Sequence, residues 1–398
     1  MIERLRPAHW TKRQRVAHPP WPAALARPAR DPQAYAVPVK GFASDNYAAV
    51  HPEVLAAIAE ANAGHATAYG ADPWTARAKE LMRAHFGERA RSYLVFNGTG
   101  ANVLCFRAMC RPWESVVCAA TAHVNTDEGA APERIAGVKL HALQTPDGKL
   151  SPELVATRLG RRGDEHAAQP RVVTVSQSTE LGTCYSPDEL AALAAFAHDN
   201  DLLLHVDGSR LSNAAAALDV PLRTLATDAG VDAVSFGGTK NGLMLGEAVV
   251  LLAPEHADGF PYLRKQTLQL ASKGRFLAAQ FIALLAGDLW HRNAAHANAM
   301  AARLAVAVAD APGVRITQAV QANAVFAVIP PAATELLQCD WRFYVWNPGA
   351  GEVRWMCAWD TTTEEVDAFA AAIRRTCAEV VEARARSAGA EDATSGPA

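Results

Sequence analysis

The chain has 398 residues, 50% hydrophobic and 20% charged, with a formal net charge of -3. That apolar content excludes a wholly disordered chain, and the charge balance excludes the Lys/Arg surplus of a dedicated nucleic-acid binder. The seven cysteines form no CxxC pair, which fits reduced thiols in a cytoplasmic protein better than a disulfide framework.

At about 150 residues per domain, the length suggests two or three domains. Residues 1–40 are rich in Arg and carry His18-Pro19-Pro20-Trp21-Pro22, so an irregular N-terminal arm is expected there. Pro and Trp would interrupt an amphipathic leader helix. From residue 41 onward two patterns alternate. Helical spacing occurs at 52–63, 74–86, 100–110, 187–199 and 275–286. Short β-branched runs, read as buried parallel strands, occur at 92–96, 115–119, 172–176, 202–207, 233–236 and 248–252. Such alternation predicts a doubly wound α/β domain with a mostly parallel sheet. The longest apolar run, near 276–286, is too short for a bilayer span of about 20 residues, so no membrane association is expected.

Near residue 290 the pattern changes. A long helix at 289–310 precedes short strands near 313–317, 324–329, 342–346 and 353–358, and a helix at 363–385 closes the unit. The predicted organisation is an arm (1–40), a large domain (41–290), a small α+β domain (291–385) and a disordered tail (386–398).

Four segments at strand ends carry candidate chemistry. Asp207, in His205-Val206-Asp207-Gly208-Ser209-Arg210, ends a buried strand, where ligands of parallel sheets bind. It could equally cap the next helix. Lys240, in Gly237-Gly238-Thr239-Lys240, follows another strand in a small-residue turn. Desolvation there would lower its pKa and suit a Schiff-base lysine; the spacing lacks the Walker pattern of a nucleotide-binding lysine. Gly98, Thr99 and Gly100 open a helix whose free amides and dipole could receive a phosphate. His123 follows a fourth strand, on the same predicted edge. Together these are what pyridoxal 5'-phosphate needs: a lysine, a carboxylate for the pyridine nitrogen, a phosphate cradle and a ring to stack on the cofactor.

The sequence resembles the fold-type-I (aspartate aminotransferase-like) pyridoxal-phosphate enzymes, and within them the low-specificity L-threonine and phenylserine aldolases. The resemblance rests on Ser44-Asp45-Asn46, Tyr69-Gly70-Ala71-Asp72-Pro73, Asn97–Asn102, Ala122-His123, His205–Arg210, Thr239-Lys240 and Val353-Arg354. It implies that Lys240 binds the cofactor, Asp207 pairs with the pyridine nitrogen and His123 stacks on the ring. It also implies that Ser44, Arg210 and Arg354 bind the substrate carboxylate, and that Arg275 reaches a phosphate, in a neighbouring subunit if the family's dimer interface is retained. A homodimer or homotetramer sharing active sites is implied as well; no metal is invoked. The chain departs from the family where many members carry a second histidine, here Gln177-Ser178-Thr179-Glu180, and where many have a tyrosine, here Asp127. Glu180, Asp127 or a water could then serve the substrate β-hydroxyl. The implied activity is retro-aldol cleavage of β-hydroxy-α-amino acids. The alternatives are another lyase, racemase or transferase reaction on the same cofactor, or a non-catalytic relative.

Overall fold

The six strands predicted for the large domain, with one more, assemble into a seven-stranded sheet in the computed structural model, which describes residues 41–394 and side chains through residue 386. Its members are β1 (Arg91–Val95), β2 (Glu114–Ala119), β3 (Lys139–Leu143), β4 (Gln169–Ser176), β5 (Leu203–Gly208), β6 (Ala233–Gly237) and β7 (Glu247–Leu251). The order is β1-β7-β6-β5-β4-β2-β3, and β3 through β6 pair in parallel. β7 runs antiparallel to both β6 and β1. The sheet is thus mostly parallel, as expected. β3 has no predicted counterpart, because it lies at the sheet edge and alternates Lys139 and His141 with apolar residues.

The expected helices form over Pro52–Ala61, Pro73–Phe86, Gly98–Met109, Pro187–Asp199 and Gly274–Leu285. Their starts are encoded locally. Asp72 and Asn97 accept backbone amides three residues on, and Ser186 with Glu189 completes a reciprocal capping box. Helices cover both faces of the sheet, so Val116, Val117, Val172, Val173, Leu204, Val206, Val234 and Val249 are all buried in one core.

A second sheet, ordered β10-β11-β9-β8, is antiparallel throughout. It comprises β8 (Arg315–Ile316), β9 (Ala324–Val328), β10 (Tyr344–Asn347) and β11 (Glu352–Met356). Its own core holds Trp355, Val366, Phe369 and Ile373. The Leu289–Val308 helix joins the two, giving Leu289 and Trp290 to the first core and Ala301, Leu304 and Val308 to the second. Phe42, far away in sequence, also enters the second core and stacks on Phe369 at 4.4 Å.

The last helix runs Thr363–Thr394, past its predicted end at 385. The tail expected to be disordered from 386 is therefore helical as far as Thr394; an Arg386–Glu382 pair one turn apart supports the extension. The predicted arm over 1–40 and the final residues 395–398 lie outside the described residues. No helix among the described residues is long and apolar enough to cross a membrane.

Candidate active site

The carboxyl ends of β4, β5 and β6 bring Ser176, Asp207 and Ser235 into register. Asp207 is 5% exposed, and both of its oxygens accept hydrogen bonds. Its Oδ1 accepts the Ser209 amide at 3.0 Å and the Ser209 hydroxyl at 2.8 Å; its Oδ2 accepts Asn102 Nδ2 at 2.8 Å. Burial pushes the carboxyl up, but the charge of Lys240 and the bonds from Asn102 and Ser209 outweigh it and hold Asp207 below the usual range. Beneath it, the buried His205 bridges Thr174 and Ser235 through its two ring nitrogens, and burial drives its pKa down to about 4.

The same Asn102 amide nitrogen donates to Glu128 Oε1 at 2.8 Å, and that oxygen also meets His123 Nδ1 at 2.9 Å. One asparagine thus joins Asp207 to the His123–Glu128 pair. The bond to Glu128 raises the His123 pKa despite partial burial, and leaves Nε2 as the ring's outward nitrogen. Glu180 lies close by. Its Oε1 accepts the His123 amide at 2.8 Å and the Ser176 hydroxyl at 2.6 Å, while Oε2 is buried without a partner. Burial raises the Glu180 pKa.

Lys240 sits in the turn that follows β6. Burial and the nearby Arg210 guanidinium lower its pKa, against the attraction of Asp45, Asp207 and Glu247. Gly237 is required here, because a Cβ would drive into the backbone of Ser209.

Arg210 follows β5 and is bound at both ends of its fork by the buried Asp45, at 2.6 Å through Nε and 2.9 Å through Nη2. Asn323 donates to the same carboxylate. Burial opposes the Asp45 charge, but Arg210 holds its carboxyl below the usual range. Ser44 precedes it and accepts the Asn46 amide. Arg354, on β11, donates through Nη2 to the Ala43 carbonyl and lies against the rings of Tyr344 and Trp346. Its Nε is buried without a partner. Burial and the neighbouring Arg210 lower its pKa to about 10. Arg210 has its counter-ion in Asp45, whereas Arg354 has no carboxylate hydrogen-bonded to it, so a substrate carboxylate could serve as its anion. Asp127 lies within electrostatic reach of Arg354, with its side chain bonded to Thr126.

The Gly98–Met109 helix starts on this edge, with Gly98 facing the Ser209 hydroxyl. Asn97 Oδ1 accepts the Gly100 amide, and the first helical amides lack intrahelical partners. Gln269 packs against Gly100 and accepts the Phe96 amide. Arg275 stands apart from this turn. Its Nη1 donates to the Ala63 and Gly64 carbonyls, and its guanidinium covers Trp74 and Phe276.

The fold therefore gathers Ser44, Gly98, Thr99, Gly100, His123, Asp127, Glu180, Asp207, Arg210, Lys240 and Arg354 about one edge, and leaves Arg275 outside it. The donor set fits pyridoxal 5'-phosphate: an ionised buried carboxylate for the pyridine nitrogen, an amine of lowered pKa and a glycine-lined helix start for phosphate. Asp45, Asn102, Glu128, Glu247 and Gln269 were not singled out by sequence reasoning. Asp45 and Asn102 stand inside resemblance motifs, and Glu128 is five residues after His123; nothing in the sequence marks Glu247 or Gln269.

A family model described as "Beta-eliminating lyase" matches residues 41–330. The low specificity L-threonine aldolase of Pseudomonas aeruginosa is 48% identical over 335 residues, covering 84% of this chain and 96% of that protein. Among solved structures, the threonine aldolase of Leishmania major superposes with a TM-score of 0.80 at 30% identity, covering 84% of this chain and 98% of that one. A methionine aminotransferase of Escherichia coli, 12% identical with a TM-score of 0.66 over 85% of this chain and 93% of its own, shares the fold alone. With an aminotransferase-like fold, a site of this composition and near full-length similarity, the chain belongs to the β-eliminating lyase family and, within it, to the low-specificity L-threonine aldolases.

Proposed function

We propose that this protein is a pyridoxal-phosphate-dependent aldolase that cleaves L-threonine, L-allo-threonine and other β-hydroxy-α-amino acids, phenylserine included, to glycine and an aldehyde. The observation that carries this reading is the convergence on one edge of Lys240, Asp207, paired arginines and an unpartnered buried oxygen of Glu180. The names of the Pseudomonas and Leishmania relatives support it.

When bound, the cofactor supplies an electron sink for the pair left at Cα as the Cα–Cβ bond breaks. Lys240 would attach it, the Gly98–Gly100 turn would receive its phosphate, and Asp207 would keep a proton on its ring nitrogen. His123, held in place by Glu128, would cover the ring face. Arg354 and the remaining Nη1 of Arg210, with Ser44, bind the substrate carboxylate and so fix which Cα bond is presented for cleavage. Arg210 is itself held by Asp45, which makes it a rigid donor rather than a mobile one. Glu180 would receive the β-hydroxyl proton through a water or after its enclosed, unpartnered Oε2 turns toward the substrate. Its raised pKa brings the carboxylate nearer neutrality, where a general base works best.

Assembly as a dimer or tetramer belongs to the same reading. Tyr69, Tyr262 and Leu268 are exposed apolar residues that a second copy would cover, and Arg275, tied to the Ala63 and Gly64 carbonyls, would serve a phosphate of that copy. The direct test is product analysis with L-threonine. Glycine and acetaldehyde in equal amounts are expected, whereas ammonia with 2-oxobutanoate would replace the aldolase reading by elimination.

A further inference from the structure

Glu247 is a buried carboxylate that the mechanism above does not use. It opens β7, where it is paired with Val95 on one side and Gly237 on the other. Val95 leads into the Gly98 turn and Gly237 into the Lys240 turn, so Glu247 stands between the two. Its Oε2 accepts the Gly238 amide at 2.7 Å, and the Thr239 hydroxyl lies within hydrogen-bonding reach. Thr239 in turn accepts the Gly246 amide at 3.1 Å, closing a clasp around the residues that precede Lys240. The charged groups facing Glu247 are Lys240 from the turn and Asp207 from β5; the flanking strands place only Val95 and Gly237 opposite it.

We propose that Glu247 is a positioning residue for Lys240: its carboxylate clasps the Gly238–Lys240 turn and supports positive charge on the lysine nitrogen. A neutral acceptor would satisfy one amide without the cost of burying an ionisable group, so the amide alone does not account for a carboxylate here. Burial raises the Glu247 carboxyl to about 7, so its charge is present above neutrality and fades below it. The proposal rests on the reading that Lys240 carries the cofactor.

The test is a pH titration of the visible absorbance of the cofactor-loaded enzyme, for the wild type, Glu247→Gln and Glu247→Asp. Gln can still accept the Gly238 amide but carries no charge. Loss of a nearby anion disfavours the cationic nitrogen, so the Glu247→Gln midpoint should fall by about one pH unit. The pH profile of kcat/KM, which reports the unliganded enzyme, should move with it, while KM for threonine on the pH plateau stays within about twofold of wild type. Glu247→Asp, which keeps the charge but retracts it, should fall between the two. A Glu247→Gln midpoint equal to wild type, with only the melting temperature changed, would overturn the proposal. If Glu247→Gln does not fold, Glu247→Asp carries the test alone: a lowered midpoint supports the proposal, an unmoved one overturns it. A wild type with no visible band at all would instead refute the cofactor reading, and a band that stays unmoved by pH in both wild type and Glu247→Gln would overturn the proposal.

Discussion

Asp45 is 1% exposed and keeps its charge because Arg210 meets it with two parallel hydrogen bonds. Removing one member of a buried pair strands the other, so Asp45→Asn should destabilise the fold by about 3–5 kcal/mol, read as a lower melting temperature. It should also raise KM, because Arg210 loses its anchor. Glu180→Gln keeps an acceptor for the His123 amide but removes the base. A fall in kcat of about 10²–10⁴-fold with little change in KM is expected; unchanged kcat would take Glu180 out of the proton transfer. His123 has a midpoint above that of a free imidazole. Its contact with Glu128 therefore stabilises the fold fully below about pH 6.5 and is lost as pH rises through the raised midpoint. In Glu128→Gln the His123 midpoint should move down in an imidazole NMR titration, and the acid-side stabilisation should vanish. At this scale the sequence showed residues that announce chemistry by type and place, such as Lys240 and Asp207. It did not show their supports: Asn102 is 105 residues from Asp207 and Asp45 is 165 from Arg210, distances only the fold can close.

Among the elements, strands buried on both faces were the most legible, since two-sided burial writes a continuous apolar run. The direction of β7 was not legible, because an antiparallel strand inside a covered sheet has the same apolar pattern as its parallel neighbours. The eight-residue Leu211–Leu218 helix was indicated only at its start, and Phe260–Gln266 not at all, being too short to show a helical period. The segment from Phe42 to His51 works as a strap. Phe42 is fixed in the second core, Asp45 holds Arg210, and the His51 amide bonds to the Gly242 carbonyl beyond Lys240. Phe42→Ala should cost about 3–5 kcal/mol through the cavity it leaves, and should raise KM as Ser44 and Asp45 loosen. Two glycine substitutions separate backbone from side-chain obstruction. Gly237→Ala meets the Ser209 backbone and should abolish soluble, cofactor-binding protein. The nearest atoms that Gly100→Ala meets are those of the Gln269 side chain, so it should fold with weakened cofactor affinity.

For the whole molecule, the near-neutral net charge becomes intelligible once the site is described. On the proposed reading, anionic groups of cofactor and substrate would be met locally by Arg210, Arg354 and a helix start, with no need of a global excess of positive charge. Since the cofactor would bind only the folded chain, saturating it should raise the melting temperature, by about 2.7 kcal/mol of stabilisation at 100 times its dissociation constant. Lys240→Ala should lose most of that gain together with the visible absorbance. The most direct measurement is borohydride reduction of the cofactor-loaded protein followed by peptide mass spectrometry. A pyridoxyl-phosphate adduct on the peptide carrying Lys240, and on no other lysine, is the predicted result. An adduct elsewhere, or none, would contradict the assignment of this sheet edge as the active site.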